Sequence, residues 1–181
     1  MSAISKIFFV LTFCAASSAQ AVSDRQVIFF GGFQSTKDQI QSCYPDFLKV
    51  YEWGAGIAGV DEALAYINSP ANRHKHYLIA GHSMGAIYAN RVAMRALNPD
   101  RLTLVGLDGF SAPGEVHLRV KDSTCWRAKS PDATSMSYGT QRLEDCGRVR
   151  TYSKARQCTN GACLHFALVN TSTTVTYLNW L

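Results

Sequence analysis

Residues 77–97 read Tyr77-Leu78-Ile79-Ala80-Gly81-His82-Ser83-Met84-Gly85-Ala86-Ile87-Tyr88-Ala89-Asn90-Arg91-Val92-Ala93-Met94-Arg95-Ala96-Leu97, and this stretch decides the fold. Its first part, with His76, is a short continuous apolar run, the pattern of a strand buried on both faces. Its second part, from Met84 to Leu97, carries Ile87, Tyr88, Val92, Met94 and Ala96 along a helix that Asn98-Pro99 ends. Only Gly81-His82-Ser83-Met84-Gly85 stands between them, so a buried strand must turn into a helix within a few residues. That is the repeating unit of a parallel sheet.

The flanking sequence continues the alternation. Upstream, Gln26–Phe30 is a β-prone run that ends in Gly31-Gly32. Ser35–Ser42 predicts a helix that Ser35 or Thr36 can cap. Phe47–Trp53 predicts a strand around Leu48, Val50 and Tyr51, and Val60–Asn68 a helix with Val60, Ala63, Leu64 and Ile67 on one face. Downstream, Leu102–Leu107 is the most continuous strand signal. Residues 109–147 are polar and irregular, with Pro113, Pro131 and two cysteines, and Val149–Tyr152 predicts a last short strand. His165–Leu181 predicts a closing helix, against the β-branched Thr171, Thr173, Thr174, Val175 and Thr176. The expected fold is α/β with a mostly parallel, doubly wound central sheet, whose ligands bind at the carboxyl ends of the strands.

Composition bounds the rest. Of 181 residues, 47% are hydrophobic and 17% charged, enough apolar material for one packed domain and too little charge for disorder. Lys6, the apolar run Ile7–Ala16 and Ala19-Gln20-Ala21 fit a cleaved signal peptide over residues 1–21. The apolar run is too short to span a bilayer. A single domain over 22–181, with an irregular insertion at 109–147, is expected, exported to the periplasm or secreted. Loss of Lys6 lowers the formal net charge of +5 by one. The remaining basic residues are scattered, which argues against nucleic acid as a partner and leaves room for weak peripheral contact with an anionic membrane surface. Cys43, Cys125, Cys146, Cys158 and Cys163 follow the signal. Export allows disulfides, of which Cys158–Cys163 and Cys125–Cys146, with Cys43 free, is one of several arrangements. Their spacing gives no zinc site, and no metal or cofactor is expected.

The chemistry is carried by G-x-S-x-G at residues 81–85 between strand and helix. Such a turn strains the serine backbone and lifts its hydroxyl clear of the sheet, while the flanking glycines let strand and helix approach. A serine hydroxyl needs a base. Among the histidines, His74 and His76 precede the strand, His82 lies inside the turn, and His117 lies in the insertion. His165 follows the last strand and is the expected base. No Asp or Glu follows Asp145. Asp108, at the end of Leu102–Leu107, is therefore the expected acid, with Asp122, Asp132 and Asp145 as alternatives. Two backbone N–H groups are needed for an oxyanion: Met84, just after the serine, and Phe33 in the Gly31-Gly32-Phe33-Gln34 turn, with Gln34 as the alternative.

Taken together, Phe30-Gly31-Gly32-Phe33, Gly81-His82-Ser83-Met84-Gly85, Leu107-Asp108-Gly109 and Leu164-His165-Phe166 resemble a very small lipase or esterase of the α/β-hydrolase superfamily. The acid one strand after the nucleophile is similar to that of pancreatic-type lipases; the short length resembles minimal bacterial lipases. Gly31 stands where many members carry the histidine of a His-Gly pair. The resemblance implies a compact three-layer sandwich and cleavage of a small-molecule or lipid ester by Ser83, His165 and Asp108 through an acyl-enzyme. Acyl transfer or thioester cleavage by the same groups, and an inactive hydrolase fold that binds a ligand, are the alternatives. The insertion, with Trp126, Met136 and Tyr138, is expected either to overhang the site and line an acyl pocket or to pack a small satellite core.

Overall fold

The computed structural model describes residues 26–33, 35–43, 47–109, 122–128 and 148–152. Among the described residues six strands form one sheet: β1 (Gln26–Phe30), β2 (Lys49–Tyr51), β3 (Tyr77–His82), β4 (Leu102–Leu107), β5 (Asp122–Ala128) and β6 (Arg148–Tyr152). Their order across the sheet is β2-β1-β3-β4-β5-β6, and every neighbouring pair runs parallel. Helices α1 (Lys37–Cys43), α2 (Gly56–Asn68) and α3 (Gly85–Arg95) lie in the connections between β1 and β4. The α/β class with a parallel sheet is as expected. In this order the chain first moves outward from β1 to β2, then crosses back to β3, so the direction of winding reverses between β1 and β3. In sheets wound this way, ligands bind outside the carboxyl ends of the two strands at such a reversal.

Strand residues alternate between two buried faces. Ile28, Phe30, Tyr51, Tyr77, Ile79, Leu102 and Leu104 point to one, where they form a single cluster with Val60, Ala63, Leu64 and Ile67 of α2 and Ala89, Val92 and Ala93 of α3. Phe29, Leu78, Ala80 and Val105 have the opposite parity and are fully buried too, with Phe47 stacked on Phe29 at 5.8 Å. Burial on both faces is why these strands read as continuous apolar runs. Two ion pairs among the described residues, Lys49–Glu62 and Arg95–Asp61, lie at the surface and add at most about 1 kcal/mol each.

Three elements depart from the sequence reading. Helix α2 starts at Gly56, four residues before Val60, because a 3-10 turn at Trp53–Ala55 and the left-handed Gly56 (φ 47°) feed the chain into it. The expected strand over Phe47–Trp53 shortens to three residues for the same reason. The stretch 109–147, expected to be an irregular insertion, contains β5, a full member of the sheet. The signal peptide and the closing helix at 165–181 lie outside the described residues, as do the cysteine pairings. Among the described residues no helix is long and apolar enough to cross a membrane.

The cluster carries the stability of this half of the molecule. Replacing the fully buried Ile79 by Ala is expected to lower the unfolding free energy by about 2–5 kcal/mol in a urea titration. Leu97→Ala, at a side chain 77% exposed, is expected to change it by less than about 0.5 kcal/mol.

Candidate active site

The expected strand-to-helix turn is present. β3 ends at His82, Ser83 adopts φ 55°, Met84 is already helical and α3 begins at Gly85. A left-handed conformation at a non-glycine residue is disfavoured because Cβ crowds the following carbonyl, and it persists only where its surroundings over-determine it. Here they do. The Ser83 N–H donates to the Leu107 carbonyl at 3.0 Å, continuing the β3–β4 ladder past the strand. The Ser83 carbonyl accepts from Ala86 N–H at 3.1 Å and that of Met84 from Ile87 N–H at 3.1 Å, which starts the helix at once.

Two glycines make the turn sterically feasible. A Cβ on Gly81 would stand 2.4 Å from the Gly85 carbonyl oxygen and 2.6 Å from the Ala86 backbone. One on Gly85 would stand 2.1 Å from the Phe30 carbonyl oxygen and 2.7 Å from that of Gly31. The first turn of α3 therefore rests directly on the backbone at the end of β1, with no side chain between them.

The loop after β1 reaches the same point from the other side. A Cβ on Gly32 would lie 2.6 Å from the Ser83 Cβ and 3.0 Å from both the His82 carbonyl oxygen and the His82 Nδ1. The Ser35 N–H and hydroxyl both donate to the Gly32 carbonyl, closing a tight turn over Phe33. Thr36 then caps α1: its hydroxyl accepts from Gln39 N–H at 3.3 Å, while the Gln39 side chain accepts from Thr36 N–H at 3.1 Å. This reciprocal capping box anchors the far end of the loop. Neither Phe33 N–H nor Met84 N–H makes a hydrogen bond among the described residues. Phe33 follows Gly32, which touches Ser83, and Met84 follows Ser83 directly.

Asp108 follows β4 directly and is fully buried, with φ 43°. Leu107 pairs with His82 across the ladder, so Asp108 and Ser83 are the first residues past the ends of two adjacent strands. The expected acid is thus at the carboxyl edge, one strand from the serine. Asp122, an alternative, begins β5 opposite Thr103, five residues of strand earlier and roughly 16 Å from that edge. His74 and His76 are exposed at the amino end of β3, away from the turn. His82 is buried against Gly32. The expected base His165 lies outside the described residues, as do His117, Gln34, Asp132, Asp145, Met136 and Tyr138. Trp126 is in β5, in register with Leu107.

An aromatic group near the turn was not anticipated. Phe33 meets Trp53 edge-on at 5.6 Å, Trp53 lies 6.2 Å from Tyr88, and Tyr88 lies 6.4 Å from Phe30, which stacks on Tyr51 at 4.9 Å. Burial, then the nearby Glu62 carboxylate, push the Tyr51 phenol above its ordinary pKa, so the base of the group is uncharged. No group of histidine, cysteine and carboxylate side chains suited to a metal occurs among the described residues. Comparisons with protein-family models, with curated proteins and with solved structures returned no match.

The strain at Ser83 is measurable. Glycine accepts φ 55° freely, so Ser83→Gly is expected to raise the unfolding free energy by about 1 kcal/mol, net of the extra freedom of glycine in the unfolded chain. Ser83→Ala keeps the Cβ and is expected to show no such gain in the same denaturant titration.

Proposed function

We propose that this chain is an exported serine hydrolase of the α/β-hydrolase type, a three-layer sandwich that cleaves carboxylic esters. The observation that carries the proposal is the left-handed Ser83, held at the crest between β3 and α3, with the glycine backbone of the β1 loop in contact with its Cβ. A packed domain that needed only a turn here would have no reason to keep a Cβ in this conformation. Strain of this kind, at the sheet edge where the winding reverses, is characteristic of a functional position.

In the proposed reaction the Ser83 hydroxyl attacks the ester carbonyl while His165 accepts its proton. Asp108 holds the imidazole in the tautomer that leaves Nε2 open and stabilises the imidazolium. The carbonyl oxygen gains negative charge and is met by the N–H groups of Phe33 and Met84. Met84 also lies at the amino end of α3, whose aligned peptide dipoles favour negative charge there. The tetrahedral intermediate collapses, the C–O bond to the alcohol breaks, and the alcohol leaves with the proton from His165. Water then repeats the sequence on the acyl-enzyme and releases the acid. The groups named need no metal or cofactor for these steps.

Incubation with an alkyl fluorophosphonate is expected to label one site per chain, at Ser83, and Ser83→Ala is expected to abolish labelling and lower nitrophenyl-ester hydrolysis by about 10⁴-fold or more. Folded wild-type protein that takes no label would mark a binding protein instead. Gly32→Ala, which drives the β1 loop off Ser83, is expected to lower kcat by about 10²–10³-fold through loss of the Phe33 donor, while labelling is slowed rather than lost.

A further inference from the structure

We infer that Phe33, Trp53 and Tyr88 form the acyl-binding ledge of the site, and that the substrate is an ester of an apolar acid several carbons long. The inference rests on the hydrolase reading and extends it. Phe33 is 55% exposed although its ring stands edge-on to Trp53. Ile57, four residues beyond Trp53, is 49% exposed, and the backbone between them at Gly54 borders open space. Phe33 and Ile57 thus both leave apolar surface open to solvent, the first of them one residue from the glycine touching Ser83. Exposed apolar surface beside a reactive group is a place for something else to cover.

The sheet order decides which part of the substrate covers it. β1 and β2 lie on one side of β3, and β4, β5 and β6 on the other. Phe33 follows β1 and Trp53 follows β2, so the ledge belongs to the first side. Asp108 follows β4 and belongs to the second. On the hydrolase reading the base has to bridge Ser83 and this carboxylate, which sets its work on the β4 side. It must also reach the oxygen of the departing alcohol to return the proton. The alcohol portion therefore points toward β4. The carbonyl oxygen is taken by the Phe33 and Met84 N–H groups. Of the four substituents on the tetrahedral carbon only the acyl chain remains, and the direction left for it runs over the Phe33 ring toward Trp53 and Ile57. Phe33, Trp53, Tyr88 and Ile57 carry no ionised group themselves; Glu52 precedes Trp53 in the chain, and the Arg91 guanidinium stands 5.9 Å from the centre of the Tyr88 ring. An uncharged hydrocarbon chain suits these side chains, and an acetyl group is too short to reach them.

The test uses the full chain and nitrophenyl esters from acetate to octanoate. The wild type is expected to favour octanoate over acetate in kcat/KM, and Trp53→Ala is expected to reduce that ratio by about ten-fold. Trp53→Phe is expected to restore most of it, and Ile57→Ser, at an exposed position that leaves folding intact, to reduce it in the same direction. With the acyl group fixed and the alcohol varied, the ratios are expected to stay as in the wild type. Ser83-dependent hydrolysis with an unchanged octanoate-to-acetate ratio in Trp53→Ala and Ile57→Ser overturns the acyl assignment and leaves the hydrolase reading intact. So does a change confined to the alcohol series. Loss of sedimentation with phosphatidylglycerol vesicles at an unchanged ratio makes the ledge a surface anchor and also overturns it. Absence of any Ser83-dependent hydrolysis overturns the hydrolase reading, and this assignment with it.

Discussion

The arrangement depends on backbone meeting backbone at one point. Where β1, β3 and α3 converge, Gly32, Gly81 and Gly85 present no side chains, and each would drive a Cβ into a neighbour at 2.1–2.6 Å. Removing three side chains lets the first turn of a helix sit on the carbonyls of Phe30 and Gly31 and lets a loop touch the Cβ of Ser83. Without that approach the β1 loop and the start of α3 would be separate pieces of backbone. With it they adjoin at the carboxyl edge, where the winding reverses and sheets of this kind bind their ligands.

Conformational strain is distributed on the same edge. Ser83 and Asp108 are the described non-glycine residues with positive φ, and each is the first residue past its strand. The ladder bond from Ser83 N–H to the Leu107 carbonyl ties the two distortions together. Neither backbone can relax toward an ordinary extended conformation without moving the other strand end. The buried aromatic stack of Phe30 on Tyr51, with α2 and α3 behind it, supplies the rigidity that keeps both in place.

The legible parts of the fold were those where one local physical rule dominates. Leu102–Leu107 was readable to the residue because burial on both faces leaves an unbroken apolar run. The G-x-S-x-G turn was readable because a strand and a helix with so little chain between them require glycine at both ends. The start of α2 was not, since Trp53-Gly54-Ala55-Gly56 has no capping side chain and the turn is set by tertiary contact with Tyr88. β5 was hidden because Asp122-Ser123-Thr124-Cys125-Trp126-Arg127-Ala128 has no apolar run and weak β-preference at its start; its conformation follows from the ladder offered by β4. In the candidate site, Ser83 and Asp108 were legible from their positions at strand ends. The aromatic group was not, because Phe33, Trp53 and Tyr88 are distant in sequence and only the β2-β1-β3 order brings them together.

The flanks of the sheet have a bearing on how copies of this molecule behave toward one another. An open parallel sheet ends in two strands with unpaired amides, a template on which a foreign strand can add. Among the described strands β2 is outermost on one side, only three residues long, with its Lys49 paired to Glu62. On the other side the outermost of them is β6, Arg148-Val149-Arg150-Thr151-Tyr152. A second molecule approaching the β2 side would find a ladder only three residues long, too short to hold a foreign strand firmly. The shortness of that strand is thus a safeguard for an interior built of β-branched and aromatic strands.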